Sequence, residues 1–210
     1  MRIANNRHHL GHHLMATTAL ISLLSGCAQL SALQMAGTAV GVVLEATGIT
    51  KKDNGDPSKT TKDLPIRIFA GEQLNLTSNG QPLSLVTKIY ILRSPEKLKA
   101  LTYPQITASD LEKEALAEEL VSVRELTLLP GKAYDLVLKI PGDATTIGVV
   151  GMFRTPYSGR WKLAFDSKQS MDGGITIGAH ACAFNASKGV LVSDISAESV
   201  RSLVGIQCNS

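Results

Sequence analysis

From residue 65 onward, apolar residues recur at every second position, in short runs broken by turn residues. Pro65-Ile-Arg-Ile-Phe-Ala70 alternates, and so does Leu83-Ser-Leu-Val-Thr-Lys-Ile-Tyr-Ile-Leu92 apart from one doubled apolar step. Successive side chains of a strand point to opposite faces, so such alternation describes a sheet with one buried and one wet face. The run 121–128 ends at Pro130-Gly131, the stretch 132–140 alternates again, and Arg160-Trp-Lys-Leu-Ala-Phe165 repeats the pattern. Thr146-Ile-Gly-Val-Val-Gly-Met-Phe153 is apolar with two glycines, as a strand covered on both faces would be. Residues 174–184 form one further strand, and 190–205 hold a strand and a short helix starting near Ser196. Seven or eight short strands with turn signals between them predict a β-sandwich.

A helical insert, 95–120, interrupts the strands after the second. Pro95 sits at the first position of a helix running to Leu101. A second helix spans about 110–120, where Ser109 and Glu112 form a capping box and Leu111, Ala115 and Leu120 share a face. The segment joining the first two strands, Asn75-Leu-Thr-Ser-Asn-Gly-Gln-Pro82, carries the turn pair Asn79-Gly80.

The N-terminus stands outside this pattern. Arg2 and Arg7 with a histidine cluster precede an apolar stretch, 14–24, that has the length of a signal-peptide core and is too short to span a bilayer. Leu24-Ser25-Gly26-Cys27 then reads as a lipobox, in which small residues admit the cleavage enzyme and the Cys27 thiol accepts a diacylglycerol through a thioether. The alternative is an ordinary signal peptide followed by a chance cysteine. Residues 1–26 are thus expected to leave, and the mature chain of 184 residues begins at Cys27. Ala28 rather than Asp follows, which in enteric-type sorting directs a lipoprotein to the outer membrane, facing the periplasm. Two or more acyl chains, at about 0.8 kcal/mol per buried methylene, anchor durably.

Residues 27–63 form the tether. Leu30, Leu33, Gly37, Val40 and Leu44 recur at helical spacing within 28–48, and a polar linker from Lys51 to Asp63 has no period. The sandwich core takes 64–170, and a C-terminal extension, 171–210, completes it. The formal charge of +3 falls to +1 when Arg2 and Arg7 depart, which removes any case for nucleic acid.

Of three cysteines, Cys27 is assigned to lipid. Cys182 and Cys208 in an oxidising compartment pair as a disulfide closing a loop of about 26 residues, the alternative being two buried thiols. Only His180 survives cleavage among the histidines, and with no C-x-x-C there is no metal site to propose. His180, alternating with apolar neighbours, reads as structural. No nucleophile elbow, zinc-protease motif or phosphate loop is present, so the chain is read as a non-enzyme. Glu112, Glu114, Glu118 and Glu119 read as a solvated helix face. Trp161 reads as a core anchor flanked by exposed Arg160 and Lys162. Asn75-x-Thr77 and Asn185-x-Ser187 fit a glycosylation pattern that has no meaning in a typical bacterial lipoprotein.

The ordered set of motifs resembles one family. The lipobox and Ala/Gly-rich helix precede Ile66-Arg-Ile-Phe-Ala-Gly-Glu-Gln-Leu-Asn75, Asn79-Gly-Gln-Pro82 and Val86-Thr-Lys-Ile-Tyr-Ile-Leu-Arg93. The helical insert, Glu125-Leu-Thr-Leu-Leu-Pro-Gly131, Ile147-Gly-Val-Val-Gly-Met-Phe-Arg154 and Arg160-Trp-Lys162 follow. Together they resemble the TssJ family, outer-membrane lipoproteins of the bacterial type VI secretion system, over 64–166 and more loosely 27–170. Lys162 stands where that family prefers arginine, and 171–210 extend beyond its common core.

The resemblance implies a transthyretin-like sandwich with added helices, acting as an adaptor. Its partner would be the periplasmic domain of a TssM-like inner-membrane protein, within an envelope-spanning complex that also holds TssL. By position the binding loop would comprise Leu76, Thr77, Ser78, Asn79, Gly80, Gln81 and Pro82. Read from its residues alone, that segment is a plain hairpin turn. No cofactor beyond the lipid on Cys27 and no small-molecule substrate are implied. A lipoprotein binding a small ligand or cell-wall fragment on a sandwich face is the alternative, and 4% aromatic content makes it thin.

Overall fold

The computed structural model describes residues 60–208. The lipobox, Cys27, the 28–48 helix and most of the 51–63 linker lie outside the described residues. Eight strands form two four-stranded sheets, as alternation predicted. They are β1 (Thr61–Ala70), β2 (Leu85–Leu92), β3 (Leu120–Leu128), β4 (Ala133–Pro141), β5 (Thr146–Gly151), β6 (Lys162–Asp166), β7 (Ile175–Ala179) and β8 (Phe184–Lys188). One sheet has the order β4-β1-β7-β8 and the other β3-β2-β5-β6. All pairings are antiparallel except β1 with β7, which run parallel from Ile66↔Ile175 to Ala70↔Ala179.

The period-two pattern of β1 is fully expressed: Leu64, Ile66, Ile68 and Ala70 are buried and the residues between them exposed. These side chains join Ile175 and Ile177 of β7 in one core cluster with Leu85, Ile89, Val149, Leu163 and Phe165 of the second sheet. Burying this apolar area is the main driving force for closing the sandwich.

The helical insert covers the outer face of the second sheet. It comprises three short helices rather than two: α1 (Glu96–Ala100), α2 (Tyr103–Thr107) and α3 (Ser109–Leu116). The expected helix over 110–120 stops four residues early, because Leu120 is already the first residue of β3. The expected capping box at Ser109 and Glu112 does not form either. Instead Gln105 Oε1 accepts from the backbone N–H of Thr102 at 2.8 Å, one helix earlier.

With Leu98, Ile106 and Leu116 buried on that side, β5 is buried at all six positions. Its two glycines permit close approach on opposite faces. A Cβ on Gly148 would lie 2.4 Å from Leu98 Cδ2, and one on Gly151 would lie 2.6 Å from Phe153 and 2.7 Å from Phe184.

The single strand expected over 174–184 is two strands. The chain reverses at 180–183, so β7 and β8 pair antiparallel and His180 sits in the turn rather than on a strand. Past β8, Phe165 bridges Leu191, and a short helix, α4 (Ala197–Val200), begins where Ser196 Oγ accepts from the N–H of Ser199. Among the described residues no helix is long and apolar enough to cross a membrane.

Candidate functional site

The β1–β2 connection is built as a pinned stem and an open tip. At the stem, Gly71 N–H donates to Ala179 C=O at 2.8 Å, Asn75 N–H to His180 C=O at 3.1 Å and Leu76 N–H to Ala181 C=O at 3.3 Å. Leu83 N–H returns to Leu74 C=O at 2.9 Å and closes the loop across its base. The β7–β8 turn thus serves as the wall against which this loop is laid.

Asn75 does most of the fastening. It is buried and holds φ = 48°, a left-handed conformation that asparagine tolerates better than most residues. Its amide Nδ2 donates to Ser84 C=O at 2.8 Å, and its Oδ1 accepts from Arg154 N–H at 2.7 Å. One side chain therefore ties both ends of the loop to the strand connection after β5. In the sequence Asn75 opens the turn segment, closes the motif from Ile66 and falls in a glycosylation pattern, and none of these marks it as the fastener of the loop. The available cue was an asparagine set between two leucines beside a turn, where a left-handed backbone and a buried amide go together.

The tip closes on itself. Gly80 N–H donates to Thr77 C=O and Thr77 N–H to Gln81 C=O, both at 2.9 Å, while Thr77 Oγ1 accepts from Gln81 N–H at 3.0 Å. The turn is centred on Ser78 and Asn79, with Gly80 following at φ = 74°, a place where glycine avoids Cβ strain. Ser78, Asn79, Gly80, Gln81 and Pro82 are exposed, and Leu76 and Thr77 are half-buried at the neck. The tip thus presents amide and hydroxyl groups to solvent on a rigid base.

Cys182 and Cys208 are joined in a disulfide with Cα atoms 5.6 Å apart. His180 Nε2 lies 3.0 Å from Asn185 Oδ1. Among the described residues no three His, Cys, Asp or Glu side chains are grouped so as to hold a metal.

Two readings of charged residues need correction. Glu112 is not on a solvated face: it is 7% exposed, with its carboxylate accepting from Tyr90 Oη and paired with Lys88 Nζ. Burial first, and then the Glu112 carboxylate, push the Tyr90 phenol far above its ordinary range. Alternation places Lys88 and Tyr90 on the face of β2 that meets α3, and only the tertiary fold supplies the carboxylate between them.

Trp161 is indeed buried, edge-on to Tyr103 with ring centroids 5.0 Å apart. Its flanking cations, however, are not exposed. Arg160 is buried and donates to the backbone oxygens of Ser199 at 2.6 Å and of Val200 and Ser202 at 3.4 Å. Lys162 Nζ lies 5.0 Å from the Trp161 ring centroid and donates to the carbonyls of Leu98 at 2.9 Å and Leu101 at 2.6 Å, capping the C-terminal end of α1. Burial lowers the Lys162 pKa from its ordinary value, partly offset by Asp194.

A family model described as "Type VI secretion lipoprotein, VasD, EvfM, TssJ" matches residues 62–182. Three solved structures share the fold. A chain of the "Type VI membrane complex" is 24% identical with a TM-score of 0.56, covering 61% of this chain and 99% of that one. The T6SS lipoprotein TssJ1 from Pseudomonas aeruginosa is 21% identical with a TM-score of 0.54, covering 61% and 97%. A chain in the structure of the T6SS protein TssM C-terminal domain from EAEC is 20% identical with a TM-score of 0.53, covering 61% and 98%. No curated protein sequence matches the chain.

Proposed function

Because the chain belongs to the type VI secretion lipoprotein family, TssJ, we propose that it is a non-enzymatic outer-membrane lipoprotein that anchors an envelope-spanning secretion complex. Its partner is the periplasmic domain of a TssM-like inner-membrane protein, and the contact is made by residues 76–82. Cys27 carries the lipid, and the sandwich faces the periplasm from the inner leaflet of the outer membrane.

The observation that carries the loop assignment is the contrast between stem and tip. The stem is locked by Asn75 and by the β7–β8 turn, while Ser78, Asn79 and Gln81 stand exposed. A preorganised polar tip loses little conformational entropy on binding. The two structures that concern the type VI membrane complex and TssM add support for this partner class.

Calorimetry between the purified protein and the partner's periplasmic domain tests the assignment. Replacing Asn79, Gly80 and Gln81 together with alanine is expected to weaken binding at least tenfold with the fold intact, and unchanged affinity refutes the loop. Replacing Cys27 with Ser should leave a folded domain in the soluble fraction. Continued membrane retention would assign the anchor to residues 28–48 instead.

A further inference from the structure

We propose that the turn at residues 203–206 is a second contact for the same TssM-like partner, tied to the stem of the 76–82 loop by the Cys182–Cys208 disulfide. This rests on reading that loop as the partner site. After α4 the chain folds back into a tight turn. Ile206 N–H donates to Leu203 C=O at 3.0 Å, Val204 N–H to Ser202 Oγ at 3.0 Å, and Gly205 takes φ = 81°.

Two devices hold this turn in place. Arg160, buried, spends its guanidinium on the backbone oxygens of Ser199, Val200 and Ser202. Cys208 is bonded to Cys182, in the same β7–β8 turn whose His180 and Ala181 carbonyls hold the loop stem. One covalent bond and two hydrogen bonds therefore connect the tail to the base of the partner loop.

The pinned turn displays an apolar side chain to solvent. Val204 is 90% exposed. Beside it, Leu203 and Ile206 line one wall of a cleft of about 510 Å³ whose other wall is Glu72, Gln73 and His180. A lone exposed valine is ordinary. Here it sits on a covalently fixed turn whose Leu203 and Ile206 line a cleft that reaches Gly71 and Ala181 of the loop stem, which is how a binding surface is built on a rigid support. The tail also lies past the end of the family match at residue 182. A contact outside the matched residues is suited to selecting this chain's own partner. The occupant is a segment of the TssM-like periplasmic domain that places an apolar side chain against Val204, Leu203 and Ile206.

The experiment is calorimetry of the detergent-extracted protein with the partner's periplasmic domain, run in parallel with the loop variant. Val204→Asp is expected to weaken binding at least tenfold with no change in thermal midpoint, since the side chain touches solvent. Cys182→Ser with Cys208→Ser should weaken it in the same direction by freeing the turn. If Val204→Asp binds like the parent while the Asn79-Gly80-Gln81 variant is impaired, the second contact is refuted and the loop stands. If Val204→Asp is impaired and the loop variant is not, the second contact stands and the loop reading falls. If both bind like the parent, both are refuted.

Discussion

Replacing Asn75 with alanine removes the side chain that fastens both ends of the β1–β2 loop. Two hydrogen bonds go, from Nδ2 to Ser84 C=O and from Arg154 N–H to Oδ1. Ser84 and Arg154 are exposed, so water recovers part of the loss, and each bond counts about 1 kcal/mol rather than the ~3 kcal/mol of a fully orphaned group. Alanine must also adopt φ = 48°, at a further ~1 kcal/mol. The total is about 3 kcal/mol, which for a domain of this size lowers the thermal midpoint by roughly 6–12 °C. Asn75→Gly separates the two causes, because it loses the same hydrogen bonds without the Cβ strain and should unfold about 1 kcal/mol later than Asn75→Ala. Urea denaturation of parent and both variants measures this directly. Equal midpoints for Ala and Gly would sink the conformational argument. A loss below about 1 kcal/mol in both would sink the hydrogen-bond argument. Partner affinity should fall in both variants, since the tip loses its support.

Three further outcomes are expected. Glu112→Ala leaves Lys88 and Tyr90 without their shared carboxylate under the helical insert, and should cost about 3 kcal/mol by urea denaturation, as breaking a buried pair does. Tyr90→Phe tests the linkage at alkaline pH. The unfolded phenol ionises near its ordinary value of about 10 while the folded one stays protonated. The native state then binds more protons, and the parent should lose stability as pH rises above about 10, whereas Tyr90→Phe should lose less. Urea midpoints across that range check the slope, and parallel curves would refute the assignment. Cys182→Ser with Cys208→Ser opens a 26-residue separation and should lower stability by about 3 kcal/mol in the chain-entropy account, read as the difference between oxidised parent and variant in chemical denaturation.

How much of this is legible in the sequence follows from how far apart the interacting residues are. The strands were legible because alternation is local: Leu64, Ile66 and Ile68 announce a buried face without reference to any other part of the chain. The Asn79-Gly80 turn was legible for the same reason. The split of 174–184 into β7 and β8 was not. Apart from His180 its residues stay apolar through the turn, because 180–183 packs against the loop stem rather than facing water. Nor did the acidic helix show that Glu112 is buried. Its partners Lys88 and Tyr90 lie 24 and 22 residues away, on a strand whose outer face could equally have met solvent.

By itself, the sequence determined the class of fold, the place of the helical insert and the family, since each rests on local periodicity or on the order of motifs along the chain. The tertiary structure alone decided the rest. It bound Asn75 to Arg154, 79 residues on, turned Arg160 inward onto the tail, and set the disulfide beside the loop stem. Those arrangements join groups distant in sequence, and a buried polar group finds its partner only once the sheets have closed around it and excluded water.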